Sequence, residues 1–173
     1  MIGSLKNMGG AATKKIAYTG IFTALTAVLT LFSIPVPGGG YIHLGDGMIF
    51  LACAVLPVPY AVFAAGVGSM IADLSLGYTQ YFIPTLLIKA AMALIVCLLG
   101  KNADKDRKRV WVFLTASLFM QFAYFVYELF LNDFAVAGGV LHVFMGLLQT
   151  VFSVPLGVFL VRYAKKNGLI GSE

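Results

Sequence analysis

The stretch GMIFLACAVLPVPYAVFAAGVGSMIADLSL, residues 47–76, is apolar almost throughout, yet Pro57 and Pro59 interrupt it. As one kinked helix it gives the chain five spans and sets the basic segment 101–109 opposite the basic N-terminus. As two helices joined at Pro57-Val58-Pro59 it gives six. The basic residues decide between these readings. Lys6, Lys14 and Lys15 form one patch, Lys101, Lys105, Arg107, Lys108 and Arg109 a second, and Arg162, Lys165 and Lys166 a third. Six spans bring all three to one face, and Lys and Arg accumulate on the cytoplasmic side of membrane proteins. The sequence therefore predicts an all-α integral membrane protein, a six-helix transmembrane bundle with both termini cytoplasmic. Lys89 is the one basic residue outside the patches.

Composition agrees: 60% of the residues are hydrophobic and 11% charged, against about 25% charged in soluble domains. The net charge of +5 sits where anionic headgroups of membrane lipid lie, so no nucleic acid is needed to explain it. The chain reads as a single membrane domain, 1–173, with spans at about 16–33, 47–57, 59–76, 83–100, 110–131 and 139–163. Residues 34–46, with Pro35, Pro37 and Gly38 to Gly40, read as a long external loop. The second span is shorter than the roughly 20 residues of a full crossing, so its neighbours must shelter it. The basic start followed by residues 16–33 resembles a signal peptide, but the apolar run is too long and lacks a small-residue cleavage site, so it reads as a retained span. Cys53 and Cys97 lie in apolar segments and read as small buried residues, with no disulfide or metal implied.

Small residues mark close helix approach in lipid. Ala61, Ala65, Gly66, Gly68, Ser69 and Ala72 crowd span three, where packing inside the bundle suffices as an explanation. Gly20 and Ala24 on span one serve either such packing or the docking of another membrane subunit.

Ionisable and polar groups at bilayer depth are costly and ask for a partner or a role. On span five Gln121, Tyr124, Glu128 and Asn132 recur every three or four residues and make one helical stripe. On span six His142, Gln149 and Ser153 make another, and Phe82, Thr85 and Lys89 share a face of span four. At 1.5 Å per residue, Lys89, Glu128 and His142 fall within roughly 10 Å of the outer surface, with Gln121 and Gln149 near mid-depth. The stripes converge on a cavity open to the outside and closed toward the cytoplasm.

Tyr41, Tyr78, Tyr81, Phe82, Tyr124, Tyr127, Phe130 and Phe134 surround this region. For Tyr78 and Tyr81 an interfacial aromatic belt competes with a binding role; Tyr124 shares the Glu128 face. Rings beside a few hydrogen-bonding groups suit a small planar, polar ligand. Asp46, following a glycine-rich loop, reads as a helix N-cap. Asp73 reads as either a structural partner for Lys89 or a residue with another role, and His142 as either a packing residue or a ligand contact. His43, in the loop, either covers the ligand or bonds to loop backbone. Four acids near the outer mouth, Asp46, Asp73, Glu128 and Asp133, against Lys89 favour a neutral or weakly basic ligand over a carboxylate.

No phosphate-binding GxxxxGK[ST] loop, GxSxG nucleophile motif, HExxH motif or cysteine cluster occurs. ATP hydrolysis, if required, falls to a partner, and no cofactor is called for.

The segments Gly39-Gly40-Tyr41-Ile42-His43-Leu44-Gly45-Asp46, Gly66-Val67-Gly68-Ser69 through Ala72-Asp73-Leu74, and Pro84-Thr85-Leu86-Leu87-Ile88-Lys89 resemble the substrate-binding S component of energy-coupling factor (ECF) vitamin transporters. The likeness extends over essentially the whole chain and is strongest to the branch that includes hydroxymethylpyrimidine, pyridoxine and riboflavin-type binders. It implies capture of a vitamin from outside under the first loop. It also implies docking on a coupling transmembrane subunit driven by two ATPase subunits, in a bacterial plasma membrane. The family's Ala-x-x-x-Ala docking surface would fall on Gly20 and Ala24. The usual glycine turn between spans two and three is replaced by Leu56-Pro57-Val58-Pro59-Tyr60. Expected ligand contacts, or supports for them, are Glu128, Gln121, Tyr124, Lys89, His142, Gln149, Tyr41, His43, Asn132 and Tyr81. Hydroxymethylpyrimidine or a B6 vitamer is the first expectation and riboflavin the second. The rivals are a proton-coupled carrier relaying through Glu128, His142 and Lys89, and a membrane-embedded enzyme using Asp46 and His43.

Overall fold

The computed structural model describes residues 2–35, 41–101, 103, 105–131 and 136–168, with side chains from residue 12 onward except at 138. The expectations for Lys6, Pro37, Gly38 to Gly40, Asn132, Asp133 and Phe134 therefore lie outside what is described. Six helices and one small sheet follow in the order α1 (Ile2–Leu31), β1 (Ser33–Pro35), β2 (Tyr41–His43), α2 (Gly45–Val55), α3 (Val58–Leu76), α4 (Phe82–Gly100), α5 (Asp106–Leu131) and α6 (Val136–Lys166). Among the described residues four helices, α3 to α6, are long and apolar enough to cross a membrane, and α2 is a shorter apolar helix.

The break within 47–76 falls where the prolines dictate. Leu56 precedes Pro57 and is held extended, at φ −98° and ψ 150°, because the pyrrolidine ring disfavours helical geometry before it. Pro57 then stands at the start of α3, and Pro59 is tolerated in its first turn, where backbone N–H groups lack helical partners anyway. At the other end Gly77 adopts the left-handed conformation, φ 82°. The Tyr78 N–H there bonds back to the Asp73 carbonyl at 2.9 Å, closing α3 with a Schellman-type cap.

Glycine lets α3 lie tightly between two neighbours. A Cβ on Gly68 would stand 2.7 Å from the Thr23 carbonyl oxygen of α1, and one on Gly66 would stand 2.9 Å from the Leu86 carbonyl oxygen of α4. The small residues of α3 thus serve internal packing. Contacts run from α1 through α3, α4 and α5 to α6, and α2 bridges α6 and α1 while also touching α3 and α4. The short helix is therefore sheltered, with every residue from Gly45 to Phe50 buried.

Polarity is distributed inside out. Phe63, Leu87, Phe122 and Phe159 are each more than half exposed, whereas Asp46, Lys89, Gln121 and Glu128 are buried. An apolar exterior matches lipid, and the interior must satisfy its polar groups itself.

Within 34–46, read from the sequence as a long loop, the described residues include a short ribbon and the start of a helix. Ser33, Ile34 and Pro35 pair antiparallel with His43, Ile42 and Tyr41, and α2 already begins at Gly45. Period-two geometry puts Tyr41 and His43 on one face of the ribbon. Pro35 is compatible with this sheet because an edge position needs no donor there.

Candidate functional site

At the ribbon end of the bundle the polar side chains form a connected set. Lys89 of α4 forms an ion pair with Asp46 of α2, both almost wholly buried, and its Nζ also lies 2.9 Å from Met120 Sδ. Gln149 of α6 donates from Nε2 to Asp46 Oδ2 at 2.6 Å and accepts the His43 backbone N–H at 3.2 Å. One glutamine thereby ties the ribbon, α2 and α6 together.

Two expectations are corrected here. Asp46 is not the N-cap: Leu44 holds that position without a side-chain cap bond, and the Asp46 carboxylate is spent on Lys89 and Gln149. Asp73 is not the partner of Lys89; its Oδ1 accepts the Tyr41 hydroxyl. The local glycine-loop context suggested a cap worth about 1 kcal/mol. An uncompensated buried lysine costs several times that, so the tertiary pairing wins.

His43 Nδ1 accepts the Gly45 N–H at 3.0 Å, so Nε2 carries the ring proton. Burial and the Lys89 charge outweigh the opposing pull of Asp46 and lower its pKa to about 4; the ring is neutral at physiological pH. Tyr41 and Tyr81 are pushed the other way, above the ordinary phenol value, first by burial and then by their carboxylates Asp73 and Glu128. Both remain donors. Tyr81 donates to Glu128 Oε1, and His142 Nδ1 stands 3.3 Å from the same oxygen, off the line of a hydrogen bond.

Rings enclose this set. Tyr41 and Tyr78 lie 5.0 Å apart, Tyr78 and Tyr81 6.2 Å, and Tyr81 and Tyr127 5.5 Å. Tyr124, which donates to Thr85 at 2.9 Å, lies 5.2 Å from the His142 ring. Gln121 reaches inward over Gly146, where any side chain would collide with it.

A cavity of about 50 Å³ lies at the centre, room for a few water molecules. Of the residues singled out in the sequence, Tyr41, His43, Tyr81, Lys89, Gln121, Tyr124, His142 and Gln149 line it. Glu128 does not; it accepts a hydrogen bond from Tyr81 and stands beside His142, both of which line the cavity. Sequence reasoning missed Thr30 of α1 and Ser69 of α3, and gave Asp73 another role, yet all three line the cavity. Thr30 Oγ1, Ser69 Oγ and Asp73 Oδ2 are buried with no hydrogen-bond partner. Thr85 lies close enough to influence the Asp73 carboxylate but does not satisfy Oδ2. Buried polar atoms are normally paired, so three unmet oxygens on residues that line one cavity are candidates to receive hydrogen-bond donors. Thr19, Thr23, Thr26 and Thr30, recurring every three or four residues along α1, were the available signal for an inward polar stripe.

Gly20 and Ala24 lie on the exposed face of α1, and nothing stands within 4 Å of a Cβ built on Gly20. Packing against α3 uses the opposite face.

The family model described as ECF-type riboflavin transporter, S component, matches residues 10–166. The thiamine precursor transporter HmpT of Lactococcus lactis subsp. cremoris is 30% identical over 125 residues, covering 70% of this chain and 71% of that protein. A Pyrococcus woesei protein described as an uncharacterized protein in a gap 3' region is 39% identical over 74 residues, 42% of this chain. The chain spans about half the length of that second relative, 49%.

Proposed function

Since the chain belongs to the family of ECF-type riboflavin transporter S components, we propose that it captures a small aromatic vitamin, or a precursor of one, for an ATP-driven importer. Membership makes it a membrane-embedded transport subunit and not an enzyme. In this reading the ribbon end faces outward and the three basic patches face the cytoplasm. The partners are a coupling transmembrane subunit and two ATPase subunits.

Asp73 carries the ligand assignment. Its Oδ2 has no hydrogen-bond partner, and Asp73 lines a cavity walled also by Tyr41, Tyr81, Tyr124 and His142, which suits a planar ring bearing an N–H donor, such as hydroxymethylpyrimidine or pyridoxine. In this reading the unpartnered hydroxyls of Thr30 and Ser69 bond a hydroxymethyl substituent. The Lactococcus relative, by its name a thiamine precursor transporter, points the same way. Glu128 acts here through Tyr81 and His142. Riboflavin is the second reading, favoured by the description of the matching family, and its tricyclic ring demands a much larger opening of the present cavity.

Equilibrium binding of the purified chain to hydroxymethylpyrimidine, pyridoxine, thiamine, riboflavin and pantothenate tests this. Tight binding of one of the first two, lost in Asp73→Asn, is the expected result; selective binding of riboflavin transfers the site to the larger ring. No binding at all sinks the reading and favours the proton-coupled carrier, which would take up its substrate without ATPases and with a marked pH dependence. The exposed small-residue face of α1 is assigned to docking. Gly20→Leu or Ala24→Leu should abolish uptake by the assembled complex and leave ligand binding intact; normal uptake would move the docking surface elsewhere.

A further inference from the structure

A second cavity, larger than the one at the ribbon end, lies elsewhere in the molecule. About 390 Å³ opens at the opposite, basic end between α2, α4, α5 and α6, within the size range of small-molecule sites. Its walls are apolar, with Leu56, Val96, Phe113 and Val161 among them, and its rim carries Lys101, Arg109 and Lys165. Among the described residues no carboxylate lines it. Arg109 is bonded to Asp106 at 2.6 Å, but Lys101 and Lys165 have no carboxylate within 4 Å among the described residues. Among the described residues, two ammonium groups thus line an apolar slot with no carboxylate to meet them.

The slot lies at headgroup depth. Trp111, the single tryptophan of the chain, is 63% exposed one residue before the cavity-lining Val112, and tryptophan concentrates at membrane interfaces. Leu98 and Leu99, just before the lining residue Gly100, are exposed toward the lipid side. A soluble anion would use the lysines and leave the slot unfilled, and a neutral lipid would fill the slot and leave the lysines unmet. We infer that this cavity is a binding site for an anionic phospholipid of the adjoining leaflet, its acyl chain between Val96, Phe113 and Val161 and its phosphate on Lys101 and Lys165.

The site is separate from the proposed vitamin cavity, and its test does not involve the vitamin. The purified chain in mild detergent is given phosphatidylglycerol, phosphatidylcholine or inorganic phosphate, and retained lipid is counted by native mass spectrometry. Cys53 and Cys97 both line the cavity and are free thiols, so their alkylation by N-ethylmaleimide reports occupancy. Phosphatidylglycerol should be retained in preference to phosphatidylcholine and slow alkylation several-fold. Lys101→Gln with Lys165→Gln should erase the preference, at roughly fivefold per lysine, while Lys14→Gln with Lys15→Gln, an equal loss of charge, should leave it. Equal retention of both lipids, equal loss in both double variants, retention without protection of the cysteines, or protection by inorganic phosphate alone would each overturn the assignment.

Discussion

The two ends of this bundle solve the same problem in opposite ways. At the ribbon end the interior is polar: ions and amides are paired among α2, α4, α6 and the ribbon, and three oxygens are left open around a cavity of about 50 Å³. At the basic end the interior is an apolar slot of about 390 Å³ with its charges on the rim. Between them Phe50 and Phe113 stack face to face, 4.1 Å apart and 3° from parallel, within a cluster that includes Met92, Met120 and Val154. A conduction pathway needs polar groups at every depth, and here the buried Asp46, Lys89, Gln121, Glu128 and Gln149 gather toward the ribbon end. The contrast fits a protein that holds its cargo at one end instead of passing it along a fixed pore.

The sharpest way to break the contrast is to remove one ion from the polar end. Asp46→Ala should cost about 3–5 kcal/mol, because it strands Lys89 in the core; a loss near 1 kcal/mol in a detergent unfolding titration would restore the helix-cap role. Opening the partition comes next. Phe113→Ala should destabilise by about 3 kcal/mol, toward the lower end for a buried aromatic because the ring already borders open space. It should also weaken ligand binding by joining the two cavities, and unchanged affinity would show that the plug does not shape the site.

Within the polar end, Asp73→Asn should weaken ligand binding about tenfold or more, the range for a hydrogen bond to a charged group. Glu128→Gln should cost less, since Glu128 stands behind the lining; the reverse ranking in calorimetry would put Glu128 in contact with ligand. The smallest effect belongs to His43. Its folded pKa near 4 lies below the unfolded 6.5, so its contribution to stability is fully present above pH 6.5 and falls as pH drops toward 4. Between pH 7 and pH 5.5 the chain should lose about 1 kcal/mol from this group, and His43→Gln should remove that part of the slope.

Much of this was legible in the residues. The apolar runs and the Pro57-Pro59 break marked the helices, and the stripes on α4, α5 and α6 marked the inward polar faces, since both signals are local and periodic. The pairings were not legible. Lys89 faces four acids of similar depth in the sequence, and only the crossing of α2 against α4 selects Asp46 over Asp73. The ribbon escaped notice because each strand is three residues long, too short for alternation to register among prolines and glycines. Thr30 and Ser69 were passed over because hydroxyl residues in membrane helices commonly bond their own backbone, as Thr19 does to Lys15.

The position of α2 has a consequence for how the protein is made. It leaves the ribosome before α3 to α6, yet it is only eleven residues long, carries Asp46, and is closed in by α4 and α6. A segment this short and charged cannot rest in lipid alone, so it waits at the insertion machinery or the interface until the C-terminal helix arrives. Chains stalled before α6 should react with thiol reagents faster at Cys53 than the complete chain, where that residue is reached through the cavity at the basic end. The centre of the bundle is written early and settled last.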